Sequence, residues 1–157
     1  MLRTEVAKSD EIKSVARNRK ARHEYHVSTE LEAGMVLTGT EVKSLRDGKC
    51  QLMDAYVQID RGEAFVHQLH IAEYRNGTIY NHEPKRLRKL LLKHAEIEKL
   101  HRQVTQKGMT LVPLEVYFKK GRAKLKLGVC RGKKQHDKRA SIKDRDTQRD
   151  VRRQERE

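Results

Sequence analysis

The last 27 residues, RGKKQHDKRASIKDRDTQRDVRRQERE (131–157), hold 11 Lys or Arg, 6 Asp or Glu, and only three apolar side chains, Ala140, Ile142 and Val151. Such a segment cannot bury enough apolar surface to offset the entropy of ordering itself. Any core must come from the residues before it. The tail is expected to be disordered when free and to order on a partner, and its surplus of positive charge makes that partner a polyanion. From Ser141 onward it contains fair helix formers without Pro or Gly. Arg145, Arg149 and Arg153 recur at i,i+4, a like-charge stripe that repels in isolation and becomes a binding edge against phosphates.

The positive charge is not confined to the tail. The chain as a whole carries a formal net charge of +14, which points to nucleic acid or an anionic membrane. No apolar run approaches the ~18 residues of a spanning helix. The first residues lack the apolar stretch of a signal peptide. A cytoplasmic protein without a membrane partner is expected. Cys50 and Cys130 lie far apart and fall short of the four ligands of a structural zinc site. They are expected as reduced, buried thiols, with no metal or other cofactor.

Alternation and turn signals place short strands between Glu24 and Leu31 and over MVLTG (35–39). Thr40 is a candidate cap for a helix over EVKSLRD, with Gly48 as its stop. A hairpin is predicted from Tyr56, Val57 and Ile59 through Asp60–Gly62 to Phe65, Val66 and Leu69. Leu90, Ile97, Leu100 and Val104 approximate a helical stripe ending at Gly108. Two further strands flank Lys120–Gly121, where Leu125 and Leu127 alternate with Lys124 and Lys126. About six strands and two or three helices favour a mainly β chain, an antiparallel sheet closed into a small barrel. Residues 1–17 are expected as a mobile arm, 18–131 as the barrel domain and 132–157 as the basic tail.

Three basic clusters interrupt this pattern. Lys85, Arg86, Arg88, Lys89 and Lys93 interleave with leucines and suit a phosphate-contacting edge, or a solvated helix start. Arg17, Arg19, Lys20, Arg22 and His23 lead into Tyr25; cations beside a flat ring suit unstacked RNA bases. Lys119, Lys120, Arg122, Lys124 and Lys126 share the last hairpin. His82–Glu83 and His136–Asp137 are the base-and-orienter pairs to weigh, and adjacent residues rarely point together. No nucleophile elbow, P-loop or dinucleotide fingerprint accompanies them, so no catalytic residue is assigned and a non-enzyme is expected. A constitutive ribosomal protein bound to rRNA is the alternative of similar composition.

The segments RNRKARHEY, EAGMVLTGTEVKSLRDGK, RKLLLK, VPLEVYFKKGRAKLKLGVCRGKKQHDKR and IKDRD, in this order, resemble the SsrA-binding protein (small protein B) family from about Asn18 to Asp146. The resemblance implies an oligonucleotide-binding (OB) type of barrel that binds the tRNA-like domain of tmRNA and delivers it to stalled ribosomes. There the nascent chain is tagged and the ribosome is released by trans-translation. By the same resemblance, Asn18, Arg19, Lys20, Arg22, His23, Tyr25, Glu32, Leu91, Lys93 and Lys124 form the RNA-binding face. Glu32 would accept from base amino groups or orient a neighbouring Arg. Gly132, Lys133, Lys134, Gln135, His136, Asp137, Lys138, Arg139, Ile142, Lys143 and Arg145 form the tail, helical in the decoding centre and empty mRNA channel of the small subunit. Elongation factor Tu is an implied partner through the tmRNA complex, and a monomer is expected. Thr147 stands near where the family often has an aromatic, and Lys93 where some members carry an amide.

Overall fold

In a computed structural model, the structure describes residues 11–77, 79–133 and 135–154. Side chains of residues 135–138, 140 and 141 are outside that description. The elements run β1 (Ile12–Arg17), α1 (Arg19–Glu24), β2 (Tyr25–Met35), α2 (Gly39–Arg46), β3 (Cys50–Gln51), β4 (Tyr56–Asp60), β5 (Glu63–His67), β6 (His70–Ile71), β7 (Arg88–Leu91), α3 (His94–Lys107), β8 (Thr110–Lys119), β9 (Arg122–Gly132) and α4 (Gln135–Gln154).

Six antiparallel strands close a ring. Starting from β8 the order is β4, β5, β7, β2 and β9, and β9 pairs back onto β8. Closure removes free strand edges, which a small sheet otherwise exposes to aggregation. The result is the mainly β, OB-like barrel expected from the sequence. Two hairpins set its register. Arg61 and Gly62, and likewise Lys120 and Gly121, both have positive φ. That is the backbone of a type I′ turn, whose twist matches the flanking strands. Inward positions of the strands, among them Ala33, Val57, Val66, Leu90, Leu111, Val116, Leu125, Leu127 and Val129, make one core with Leu45 of α2 and Leu100 of α3. A second, smaller cluster lies outside the barrel: Ala21 of α1 packs on Val112, Leu114 and Cys130. Burial pushes the Cys50 thiol up to about 12 and the Cys130 thiol to about 11, so both stay protonated at neutral pH.

Five expectations change, the first being the cap of α2, which is Thr38 and not Thr40. Ile12–Arg17, placed in a mobile arm, is a strand paired with Glu115–Lys119 of β8; the free edge of β8 supplies the partner that the local pattern did not reveal. The two strands expected between Glu24 and Leu31 and over residues 35–39 are one: β2 runs from Tyr25 to Met35 and no strand follows before α2 begins at Gly39. Arg88–Leu91 is a strand rather than a helix start, alternating buried and exposed. The tail, expected as disordered, is helical from Gln135 to Gln154. Its residues are fair helix formers, and Arg145 ties the helix to His23 of α1. The described side chains from Ile142 to Gln154 are exposed.

The strand at Arg88 exists because its charge is answered. Arg88 and Glu41 are both fully buried. Arg88 Nε donates to one Glu41 oxygen and Arg86 Nη2 donates to the other at 2.6 Å. Arg88 also donates to the Leu69 and Pro84 carbonyls. The Thr38 amide donates to Glu41 at 2.9 Å, capping α2. Burial opposes ionisation of Glu41, but the bonds from Arg86, the Thr38 amide and Arg88 outweigh it and lower its pKa. A depressed carboxylate stabilises the fold above its unfolded pKa, and that contribution is lost as pH falls through the folded value. Glu41→Gln should therefore cost about 3 kcal/mol at pH 7 and flatten the acid limb of stability below about pH 4. Urea unfolding from pH 3 to pH 7 tests this; an unchanged midpoint would mean the pair is dispensable.

Candidate nucleic-acid interface

The outer face of β7, β2, β9, β8 and β1 carries two rows of side chains in register. In the first, Leu91 faces Gly34, Gly34 faces Lys124, Lys124 faces Tyr117, and Tyr117 faces Ser14. In the second, Glu32 faces Lys126, Lys126 faces Glu115, and Glu115 faces Arg17. The second row alternates in charge, the favourable cross-strand arrangement. Glu115 takes Arg17 at 3.5 Å and Lys126 at 3.6 Å. Lys126 Nζ also lies 5.9 Å from the Tyr117 ring centroid.

Glu32 is held rather than loose. The Tyr117 hydroxyl donates to its Oε2, and Lys119 Nζ lies 3.6 Å from the same oxygen. The Tyr117 bond is the main cause of a lowered Glu32 pKa; desolvation opposes it, and Lys119 and Lys124 assist. Burial, then the Glu32 bond, drive the Tyr117 phenol upward in turn. Glu32 thus orients a tyrosine and a lysine rather than an arginine, and the alternative expectation, an acceptor for base amino groups, is left to its other oxygen. Lys124 makes no ion pair among the described residues, and beside it Leu91 is 55% exposed. Gly34 lets that leucine lie flat across β2: a methyl at Gly34 would sit 3.2 Å from Leu91 Cβ. Lys93 is exposed at the cap of α3, two residues beyond Leu91.

The other expected RNA contacts lie at the far end of β2. Tyr25 and Gly34 are nine residues apart, about 30 Å of strand, so the expected contacts fall at two places rather than one. Asn18 is not a surface residue. It is buried, its Oδ1 accepts from the Ala21 amide, and its Nδ2 donates to the Pro113 and Leu52 carbonyls. It fixes α1 on the barrel and acts on any ligand only through that. Arg19, Lys20 and Arg22 are exposed; Lys20 lies 3.7 Å from Glu24 and Arg22 lies 3.6 Å from Glu30. His23 and Tyr25 are half-buried.

The tail leaves from this second patch. Gly132 pairs with Tyr25, the Lys133 amide donates to the Glu24 carbonyl, and Lys133 Nζ donates to the Arg22 carbonyl. Arg145 meets His23 Nδ1 at 3.0 Å. Arg139, Ile142 and Lys143 are exposed on α4, and Thr147 bonds its own helix at the Lys143 carbonyl. Lys134 and the side chains of Gln135, His136, Asp137 and Lys138 fall outside the described residues.

Two sequence readings shift with the geometry. Of the cluster at 85–93, Arg88 is buried and Arg86 serves Glu41, while Lys89 pairs with Glu63 at 2.9 Å. The helix-start alternative for this cluster also fails, since β7 occupies it. His82 is buried, with Nδ1 2.9 Å from Thr40 Oγ1 and Nε2 2.9 Å from the Ile71 carbonyl. Both ring nitrogens have structural partners, and neither bonds Glu83. Tyr117, Glu115 and Arg17 were not assigned to the face from sequence. The signal for the first two was present: a two-residue turn at Lys120–Gly121 places Tyr117 opposite Lys124 and Glu115 opposite Lys126.

These features define an OB-like barrel with a charge-laced outer face and a basic helical extension. A family model described as SmpB protein matches residues 15–157, and the chain belongs to that family. It is 52% identical over 145 residues to an SsrA-binding protein of Desulfitobacterium hafniense, covering 92% of this chain and 93% of the relative. An SsrA-binding protein of Acetivibrio thermocellus is 54% identical over 142 residues, covering 90% and 92%. A solved structure described as tmRNA-SmpB in the bacterial ribosome matches with TM-score 0.65 and 47% identity, over 76% of this chain and 85% of that one.

The Tyr117–Glu32 bond is testable without a ligand. In Tyr117→Phe the Glu32 carboxyl should titrate closer to the ordinary carboxylate value, followed by carbon-detected NMR. An unchanged titration would show that Lys119 and Lys124 hold the charge alone.

Proposed function

We propose that the chain is a non-enzymatic, cytoplasmic adaptor that binds the tRNA-like domain of tmRNA and brings it to stalled ribosomes for trans-translation. Membership of the SmpB family supports the RNA and the process; the face around Leu91, Gly34 and Lys124 supports the mode. Lys124 supplies a cation in no close ion pair among the described residues, with Glu32 the carboxylate that feels its charge, and Leu91 supplies an apolar step for a ribose or base edge. Glu32, with Tyr117 and Lys119 on one oxygen, keeps its other oxygen for an amino group of a base. Arg19, Lys20, Arg22, His23 and Tyr25 make the second contact, a cationic edge with a ring.

The tail acts in the ribosome. A helix of 20 residues spans about 30 Å, and its Arg145, Arg149 and Arg153 stripe suits an RNA-lined passage. It enters the decoding centre and the mRNA channel where message is absent. Gly132 to Arg139 pass through the decoding centre, while Ile142, Lys143 and Arg145 lie farther along. Elongation factor Tu joins through tmRNA, and the protein works as a monomer.

The observation that carries this division is the placement of the sheet face and the tail root at opposite ends of β2. A chain ending at Arg131 should hold a tRNA-like-domain transcript within about threefold of the full chain, since one ionic contact is worth little at the rim. It should support no tagging in a reconstituted translation reaction. Loss of transcript binding on truncation would refute the division of labour.

A further inference from the structure

We propose that the RNA contact does not stop at the sheet face but continues along a groove between the β4–β5 turn and α3, which takes the sugar–phosphate backbone of the same RNA. This rests on the reading above and extends it to a site outside the set carried by the family resemblance. Two adjoining hollows, about 470 Å³ and about 430 Å³, share Gly62, His94 and Ile97. The first includes Leu91 and Lys93, and the second runs on to His101 and Arg102. The groove is thus continuous with the apolar step and the cation at the end of the first row.

Its chemistry is that of a nucleic-acid track. Ile59 and Ile97 line it, and the flat sides of riboses can pack there. The walls bring Arg61, Lys89, Lys93 and Arg102 against only two carboxylates, Glu63 and Glu98. Glu63 is paired with Lys89 at 2.9 Å, and Glu98 lies 3.0 Å from His94, a cation only when protonated. Arg61, Lys93 and Arg102 make no ion pair among the described residues. From His94 to Arg102 the helix advances about 12 Å, room for two successive phosphates. The turn holds Arg61 in position, since it has φ +52° in a two-residue hairpin. An acidic, apolar peptide also satisfies a basic-rimmed groove, but continuity with Leu91 and Lys93 favours RNA.

The test is the salt dependence of binding to a tRNA-like-domain transcript. Removing one phosphate interaction lowers the slope of log K against log salt by about 0.7–0.9. The double variant Arg61→Gly with Arg102→Gln removes both charges while Gly keeps the positive φ. Its slope should fall by about 1.4–1.8, with unchanged circular dichroism and urea midpoint. Lys124→Ala is the control for the sheet face and should lower the slope by the equivalent of one phosphate. If the double variant keeps the wild-type slope while Lys124→Ala does not, the groove is not an RNA site and a protein partner is left for it. If neither variant changes the slope, the sheet-face reading fails and the groove with it. Should the double variant lose stability, Arg102→Gln alone, at an exposed helix position, must still lower the slope by the equivalent of one phosphate.

Discussion

The barrel closes through a strand whose first residue is a buried charge. Arg88 opens β7, the strand that joins β5 to β2, and it is fully enclosed. An unpaired guanidinium there would cost far more than the strand returns. Glu41 reaches its Nε from α2, and the Leu69 and Pro84 carbonyls each accept one further N–H, from Nη1 and Nη2. One carboxylate therefore docks α2, orders the segment before β7 through Arg86, and permits the ring to close. The face that bears Leu91 exists because of that chain of bonds.

From this closure follows the division of the molecule along β2. One end of the strand presents Glu32 and Gly34 to the charged rows. The other end presents Tyr25 to α1 and to the root of α4. Asn18 keeps α1 in place with three side-chain bonds to the backbone, one of them long at 3.4 Å. A residue that looks like a ligand contact in the motif thus works as a bracket for α1.

Much of the fold was legible because it is local. The two-residue turns, the alternation of Leu125 and Leu127 with lysines, and the helix ending at Gly108 are written in neighbouring residues. The elements that escaped depend on distant partners. β1 is a weak pattern completed by the edge of β8. β7 reads as a helix until Glu41 is known to lie above Arg88. The tail was legible in composition and misjudged in state, because a lack of apolar residues rules out a core and does not rule out a single helix. At the site, the hairpin register gave access to Tyr117 and Glu115. Nothing local indicates that Glu32 would spend itself on a tyrosine, since the two lie 85 positions apart.

The charge rows on the sheet also decide what kind of grip this face has. Two carboxylates absorb Arg17, Lys119 and Lys126, so most of the positive charge drawn up along these strands is muted at short range. A passing polyanion meets no uniform carpet to slide over. It finds one ammonium, Lys124, outside any close ion pair among the described residues and beside a hydrophobic ledge, and alignment is chosen before strength accumulates.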